Sequence, residues 1–248
     1  MSSIDNYYQK DRYVLYSVAD NENMYQKKVR AFLKILPKRT FQTVLDAGCG
    51  DGRVAQIMGE KLGTHLYGVD ISKKGVELAK KNGIKAKVAD ISESIPLKSG
   101  YFDLVISTEV IEHVADPDTF LKETYRVLKP GGLLLLTTPN LSSWTNRILF
   151  VLGIYPIFLE ASTETPVGYG YFSRFIKGKH LVGHIHVFNL LALKDIITFH
   201  RYSIESVSGN SVNFSARSKI LTVVYSLFDA LMARFPSLSS DLVLLAKK

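Results

Sequence analysis

The chain has one cysteine, one tryptophan and no hydrophobic run long enough to cross a membrane among its 248 residues. The single cysteine, Cys49, excludes an internal disulfide and fits a reducing compartment. The two most apolar stretches, residues 148–159 and 220–233, fall short of the roughly 20 residues that span a bilayer, and Pro156 and Asp229 interrupt them. Residues 1–12 also lack the apolar segment of a secretory signal. We therefore expect a cytoplasmic protein and leave peripheral membrane contact open.

A dense basic stripe is also missing, although the formal net charge is +8. Residues 44–140 carry twelve Lys and Arg against thirteen Asp and Glu, so the positive excess lies in the flanking parts of the chain. The basic residues are scattered, which fits a solvated surface as well as an anionic partner. Without a basic stripe or a separate binding domain, the sequence has no strong nucleic-acid signature.

The most informative stretch is VLDAGCGDG, residues 44–52, which predicts a buried strand that runs into a glycine-rich turn. An apolar pattern with helical spacing follows in residues 53–62, and strand, glycine turn and helix in this order are typical of a nucleotide site. Asp46 and Asp51 would repel a pyrophosphate, and Arg53 stands where the dinucleotide pattern G-x-G-x-x-G requires its last glycine. The stretch therefore favours a ligand that carries positive charge or donates hydrogen bonds.

Segments with strand and helix spacing alternate up to residue 139, which predicts a parallel sheet. We expect strands over residues 65–70, 84–90, 102–108 and 133–139. A helix over residues 23–36 should end at Pro37, and another should begin at Asp116 and end at the Pro130-Gly131-Gly132 run. The fold class is α/β, with a doubly wound, mostly parallel sheet of seven strands whose last strand is antiparallel.

We expect a single domain over residues 1–248, with a cap-helix region at 1–40 and two insertions. Residues 141–183 are expected to form a lid or substrate insertion, and residues 211–240 a second, helical insertion. The aromatic side chains of the first insertion could cover a sugar ring or an apolar acceptor, or pack as a small satellite core. The helix of the second could pair two subunits in a homodimer or touch a membrane. The aromatic residues of the first insertion are Trp144, Tyr155, Phe158, Tyr169, Tyr171 and Phe172.

Two acids stand where strands are expected to end. Asp70 lies twenty residues after Gly50, the spacing at which an acid reaches the hydroxyl pair of a ribose. A cap on the following helix, together with Ser72, fits Asp70 equally well. Asp90 could accept a hydrogen bond from the amino group of an adenine, with Ile91 against the ring.

Several motifs in order resemble the class I S-adenosylmethionine-dependent methyltransferases, and within them the ubiquinone-biosynthesis type (methyltransferase type 11/23). They are VLDAGCGDG, the acid in YGVD, ADI, FDLVISTEVIEHV, and VLKPGG followed by LLLLTTPN. The resemblance is close over about residues 40–140 and looser over 184–210. It implies a Rossmann-like fold, S-adenosylmethionine as cofactor, S-adenosylhomocysteine as product, and methyl transfer, for which we expect an oxygen acceptor.

The resemblance also carries over to individual positions. It implies that the glycine turn surrounds the methionine part of the cofactor and that the acid after the second strand contacts the ribose. The pair after the third strand then contacts the adenine, and the end of the fourth strand lies beside the reacting methyl group. In that order the cofactor residues are Asp46, Gly48, Cys49 and Gly50; Asp70 and Ile71; Asp90 and Ile91; and Thr108, Glu109 and His113. The acids of the turn then suit a cationic sulfonium and an ammonium group.

Two histidines are the candidate catalytic residues. Methyl transfer from a sulfonium is a direct displacement, so the enzyme aligns the nucleophile and, for a hydroxyl, removes a proton. His113 lies in EVIEHV, and His184 lies in GHIHVF, a stretch that resembles one in methyltransferases encoded among cell-surface glycan genes. His113 could equally orient its turn, and His184 could be a core or solvated histidine. We expect no metal, because no cysteine or clustered acid accompanies His180, His184 and His186.

The acceptor that we expect is a small molecule, a glycan or a lipid-linked compound. RNA remains an alternative acceptor, and a cofactor-binding module without catalysis or a dehydrogenase remains an alternative function. Release of S-adenosylhomocysteine separates an enzyme from a binding module. Calorimetry with NAD and with S-adenosylmethionine separates a methyltransferase from a dehydrogenase.

Overall fold

The structure, a computed structural model, describes residues 22–62, 64–162, 164–170, 182–212 and 218–248, with side chains from Lys28 onwards. Seven strands form one sheet: β1 Thr43–Ala47, β2 His65–Asp70, β3 Lys85–Val88, β4 Phe102–Thr108, β5 Leu128–Pro139, β6 Ser203–Asn210 and β7 Asp241–Lys247. Their order is β3-β2-β1-β4-β5-β7-β6. β7 runs antiparallel to both of its neighbours, and all other pairs are parallel. The predicted fold class, a doubly wound and mostly parallel sheet with an antiparallel last strand, is confirmed.

Helices connect the strands in the predicted alternation. They are α1 Glu22–Ile35, α2 Arg53–Leu62, α3 Lys73–Lys81, α4 Pro117–Val127, α5 Trp144–Val151, α6 Leu190–Phe199 and α7 Lys219–Met232. Local chemistry sets where they begin. The Asp116 side chain accepts a hydrogen bond from the Thr119 backbone N–H, and Pro117 occupies the first turn of α4, where a missing N–H costs nothing.

The core lies on both faces of the sheet, so β4 and β5 are buried almost completely. On one face, side chains such as Phe102 and Leu134 pack with Phe120 of α4 and Leu193 of α6. On the other face, Leu104 and Leu135 pack with residues of α1 and α2. Each fully buried side chain of this size contributes about 1.5–3 kcal/mol. This rigid central pair positions the segment after β4 that carries the candidate site.

The sequence prediction was wrong at the end of α4. The helix ends at Val127 and β5 begins at Leu128, so the Pro130-Gly131-Gly132 run lies inside the strand instead of ending the helix. The pairing of β4 with β5 shifts from Phe102↔Leu128 to Leu104↔Leu133, which makes a bulge. Gly131 adopts a φ of 75° there, and a side chain on Gly132 would crowd the Lys129 carbonyl. The Pro130-Gly131-Gly132 run therefore forms the bulge in β5.

The third strand is also shorter than predicted. β3 ends at Val88, so Asp90 lies in the turn beyond it and not at its last position. The Asp90 side chain accepts a hydrogen bond from the Ser92 backbone N–H at 2.8 Å, which favours the turn over a further pleat.

The two expected insertions contain α5 and α7. Residues 171–181 and 213–217, which include Tyr171, Phe172 and His180, lie outside the described residues. Within the described ranges, no helix has both the length and the apolar character needed to cross a membrane.

Candidate active site

The glycine turn after β1 is closed towards the sheet and open at its middle. The backbone N–H groups of Gly48 and Cys49 both donate to the Val69 carbonyl, at 2.8 and 3.1 Å, which ties the turn to the end of β2. Gly48 has a φ of 82°, and any side chain there would collide with Val110. A Cβ on Gly50 would meet no atom within 4 Å. The open side at Gly50 is therefore where a ligand can approach the backbone.

Carboxylates crowd this turn, where Arg53 Nε forms an ion pair with Asp51 at 3.1 Å. Asp70, at the end of β2, accepts hydrogen bonds from the backbone N–H groups of Gly50, at 2.7 Å, and Ser72, at 2.8 Å. Burial raises the pKa of Asp70. Burial and the charges of Asp70 and Asp51 together raise the pKa of Asp46 well above its ordinary value. A ligand that brings positive charge would relieve this repulsion.

Cys49 is buried in the same turn. Burial, followed by the charges of Asp46 and Asp70, raises the pKa of its thiol. A thiol held in its protonated form is a poor nucleophile, which suits a space-filling side chain between two glycines.

The end of β4 offers polar groups beside the glycine turn. The Thr108 hydroxyl is buried and has no hydrogen-bond partner among the described residues. Glu109 adopts a φ of 54°, uncommon for a residue with a side chain, and its Oε1 accepts from the Thr137 hydroxyl at 2.6 Å. Lys28 of α1 places its Nζ 3.8 Å from the same oxygen. The N-terminal helix thus reaches the segment that the resemblance assigns to the reacting methyl group.

The structure brings His113 and His184 together around Glu112. Their ring centroids lie 4.7 Å apart, and their Nε2 atoms lie 3.9 and 4.0 Å from Glu112 Oε1. Glu112 is fully buried, its Oε2 accepts from the Thr138 hydroxyl at 3.0 Å, and its Oε1 has no hydrogen-bond partner among the described residues. Burial and the charge of Glu109 raise the pKa of Glu112 well above its ordinary value.

Backbone carbonyls fix the tautomer of both rings. His113 Nδ1 lies 3.1 Å from the Gly183 carbonyl, and His184 Nδ1 lies 2.8 Å from the Phe158 carbonyl. A carbonyl only accepts hydrogen bonds, so each Nδ1 carries the proton and each neutral ring turns its Nε2 lone pair towards Glu112. Burial lowers the pKa of His113 to about 4 and also lowers that of His184. Both rings are neutral at neutral pH.

Two glutamates organise this cluster, and neither was among the residues selected from the sequence. The Glu112 carbonyl accepts from the backbone N–H groups of Ile185 and His186, which docks the GHIHVF segment. The Glu160 carboxylate accepts from those of Val182 and Gly183, at 2.6 and 2.9 Å. Glu112 precedes His113 in EVIEHV, so this motif was a sequence signal for Glu112 as a site residue. No motif in the sequence pointed to Glu160.

The group of Glu112, His113 and His184 is also the set of described residues whose ligand atoms could surround a metal ion, all within 4.8 Å of one another. This set differs from the three neighbouring histidines considered from the sequence. His186 instead turns its Nε2 towards the Ala115 carbonyl at 3.5 Å. The expectation of no metal stays a prediction.

Comparison with known proteins finds a domain of known type in the part of the chain that carries this site. A family model described as a methyltransferase domain matches residues 45–136. The ubiquinone biosynthesis O-methyltransferase of Chelativorans sp. is 34% identical over 122 residues, which are 47% of this chain and 46% of that protein. That of Pelagibacter ubique is 31% identical over 157 residues, 62% of each chain. Residues 45–136 form a methyltransferase domain.

Solved structures support the fold of this methyltransferase domain over nearly the whole chain. A methyltransferase from Thermotoga maritima aligns with a TM-score of 0.60 at 20% identity and covers 90% of this chain and 89% of that one. One from Aquifex aeolicus aligns with a TM-score of 0.59 at 15% identity, with 96% and 98% covered. The two ubiquinone-type relatives, by contrast, are matched over about half to three fifths of their length.

The residues of the methyltransferase domain fit S-adenosylmethionine, the cofactor of this family. The sulfonium and ammonium groups of S-adenosylmethionine would supply positive charge close to the buried carboxylates of Asp46 and Asp70, whose pKa values are raised by burial. The open side of Gly50 gives access to the backbone, and the unsatisfied Thr108 hydroxyl offers a polar contact. Ile71 follows β2, and Asp90 and Ile91 follow β3 at the same edge of the sheet. Ile91 is buried. Individual contacts to the cofactor stay predictions.

Proposed function

We propose that this chain transfers the methyl group of S-adenosylmethionine to an oxygen atom of a small-molecule, glycan or lipid-linked acceptor. The observation that carries the proposal is the meeting of His184 with Glu112 just beyond Glu109, at the end of β4. This puts a neutral ring next to the segment expected to face the methyl group. The names of the two ubiquinone-type relatives, both O-methyltransferases, support oxygen as the acceptor atom.

The roles of the two histidines follow from their environments. A general base must be neutral at the working pH and basic enough to take a proton. The pKa of His113, at about 4, makes it a weak base, whereas the Phe158 carbonyl and the charge of Glu160 counteract the burial of His184. His184 is therefore the base that removes the acceptor proton, and His113 positions it through ring contact. The cofactor, when bound, supplies the electrophilic methyl group.

The first insertion supports an acceptor site beside His184. Phe158 adopts a φ of 72°, and its ring lies 5.9 Å from that of His184. Gly168 lies so close to Tyr155 that any side chain at position 168 would collide with Tyr155. Trp144, by contrast, packs on Phe228 of α7, at 4.7 Å between ring centroids. The aromatic cover near His184 suits a sugar ring or a flat apolar acceptor.

An acceptor screen that detects S-adenosylhomocysteine tests the proposal. Wild-type protein is incubated with S-adenosylmethionine and with phenols, free glycans or lipid-linked glycans, and the active acceptor is then used with His184→Gln. We expect kcat to fall about 100-fold or more, the typical contribution of a general base, while cofactor affinity by calorimetry stays unchanged. His186→Gln is the matched control, because His186 lies two residues away and faces another carbonyl.

The outcomes separate the alternatives. Cofactor binding without S-adenosylhomocysteine release for any acceptor supports a non-catalytic binding module. Methyl transfer to RNA alone moves the acceptor to that class. Full activity of His184→Gln contradicts the assignment of the base but not methyl transfer itself.

A further inference from the structure

Helix α7 buries its one acid against the protein and exposes most of its apolar side chains. Asp229, the one acid of the helix, is fully buried. Its carboxylate accepts hydrogen bonds from Trp144 Nε1 at 2.8 Å, from the Val212 backbone N–H at 2.9 Å and from the Ser240 hydroxyl. Tyr225, one turn earlier, meets the Thr145 hydroxyl at 3.1 Å. These polar contacts hold the helix in this orientation.

The outward face of α7 is almost entirely apolar. Ile220 is 77% exposed and Leu227 is 69% exposed. Helix α5 is in contact with α7, because Trp144 packs on Tyr225 and Phe228, and α5 also carries exposed apolar side chains. The exposed apolar residues of the two helices and their ends are Ile148, Phe150, Val151, Leu152, Ile220, Leu221, Val223, Val224, Leu227, Phe228, Leu231 and Phe235. Exposed apolar side chains in this number mark a contact with a partner or a membrane.

The charges on this surface have one sign. Arg147, Lys219 and Arg234 are exposed. Within residues 141–159 and 218–238, all of them described, the acid is Asp229, which is buried. Every exposed charged side chain of α5, α7 and these flanking residues is thus a cation. Such a surface matches a partner that is apolar inside and negatively charged outside.

We propose that α5 and α7 form a docking surface for an anionic lipid bilayer, on which α7 lies parallel to the membrane plane. A helix of 14 residues is about 21 Å long at about 1.5 Å per residue, too short to span a bilayer but sufficient to lie in the headgroup region. A second copy of the chain fits less well. A two-fold contact places a patch against itself, which would bring Arg147, Lys219 and Arg234 together without acids to pair them. The inference does not depend on the proposed reaction.

Vesicle sedimentation with the full chain tests this surface. Vesicles of phosphatidylcholine alone are compared with vesicles that also contain phosphatidylglycerol. We expect the protein to sediment with the anionic vesicles and to be released by salt. The double variant Val224→Glu/Leu227→Glu should lose this binding at least tenfold. Lys219→Gln and Arg234→Gln should each lose about fivefold, the usual contribution of one cation near an anionic surface.

Phe199→Glu is the matched control, because Phe199 is 77% exposed on α6, outside the docking surface. It should bind vesicles as the wild type does. Thermal melting and S-adenosylmethionine affinity establish that each variant is folded, so a failed reaction and a failed docking surface give different results. Absence of wild-type binding, or equal binding to both vesicle types, overturns the proposal. A dimer in solution that Val224→Glu/Leu227→Glu dissociates assigns the surface to a second copy instead.

Discussion

Asp46 is a residue whose environment favours ligand binding over stability. Its carboxylate is buried beside Asp70 and Asp51, and both burial and these charges raise its pKa. A group with a raised pKa destabilises the folded state at a pH where it is ionised, because the unfolded chain holds the same charge in water. The ligand-free protein therefore carries a cost that a cationic cofactor offsets.

Asp46→Asn should make the ligand-free protein more stable and the cofactor complex weaker. Removing this buried charge should raise the free energy of unfolding by about 1 kcal/mol. In a chain of this size, that corresponds to a rise in Tm of about 2–4 °C. S-adenosylmethionine affinity should fall at least tenfold. Thermal melting and calorimetry measure the two effects.

The control for Asp46→Asn is Asp103→Asn. Asp103 accepts from Lys129 Nζ and from the Thr43 backbone N–H, which hold the pKa of its carboxyl below its ordinary value. This variant should lower Tm and leave cofactor affinity unchanged. A fall in Tm for Asp46→Asn would show that its charge stabilises the fold.

His184 sets the expected pH dependence of turnover. Burial lowers its pKa, and in the proposed reaction the neutral ring accepts the proton of the acceptor. Protonation as the pH falls removes the base, so kcat should be level at neutral pH and should decline only below about pH 6.5, the ordinary pKa of histidine. The negative charge of Glu160 partly counteracts this lowering of the His184 pKa. Glu160→Gln removes that charge and should move the decline of kcat to lower pH. An acid limb above pH 6.5 would assign the base to another group.

The sequence identified His113 and His184 separately but not their contact. The two residues are brought together by the docking of the 183–186 backbone on Glu112, which depends on packing between distant segments. Spacing patterns report neighbours along a helix or strand, not contacts across 70 residues. The position of Asp70 beside the glycine turn was predictable because it follows from a local strand, turn and helix.

At the scale of elements, α7 shows what hydrophobic periodicity leaves undetermined. The sequence predicted an apolar helix and treated Asp229 as an interruption of an apolar stretch. In the structure Asp229 is the residue that fixes the helix, and the apolar face points outwards. Periodicity distinguishes two faces of a helix but does not say which one turns inwards. The bulge in β5 is similar, since proline and glycine punctuate helices and bulges alike.

Asp229→Ala should loosen α7 from the domain. The substitution leaves Trp144 Nε1, the Val212 N–H and the Ser240 hydroxyl without their acceptor, which costs about 3 kcal/mol in free energy of unfolding. Urea denaturation measures this loss. Ser226→Ala is the control, because Ser226 is exposed and its hydroxyl bonds only the Thr222 carbonyl within the same helix. It should change the free energy by less than about 0.5 kcal/mol. A loss of less than about 1 kcal/mol for Asp229→Ala would mean that packing, not this network, holds the helix.

At the scale of the whole molecule, the order of motifs predicted the sheet from β1 to β5, because each strand packs on a helix close to it in sequence. The parts that meet from far apart were not predictable in the same way. Lys28 of α1 reaches Glu109, and the 182–186 segment reaches Glu112. The proposed cofactor side of the site is thus local in sequence, whereas the proposed acceptor side is assembled by tertiary packing. Binding of the cofactor should therefore stabilise the entire chain through the glycine turn.

Thermal shift with different ligands tests this coupling and the nature of the cofactor. A ligand at about 100 times its Kd adds about 2.7 kcal/mol to the stability of a protein that binds it only when folded. At about 2–4 °C per kcal/mol, S-adenosylmethionine should raise Tm by about 5–10 °C, and NAD should not, because Asp46 and Asp51 repel its pyrophosphate. Asp70→Ala should abolish most of the shift, whereas His184→Gln should keep it, since that ring lies on the acceptor side. A shift with NAD, or equal loss in both variants, would contradict a sulfonium cofactor held by the turn at Gly48 and Gly50.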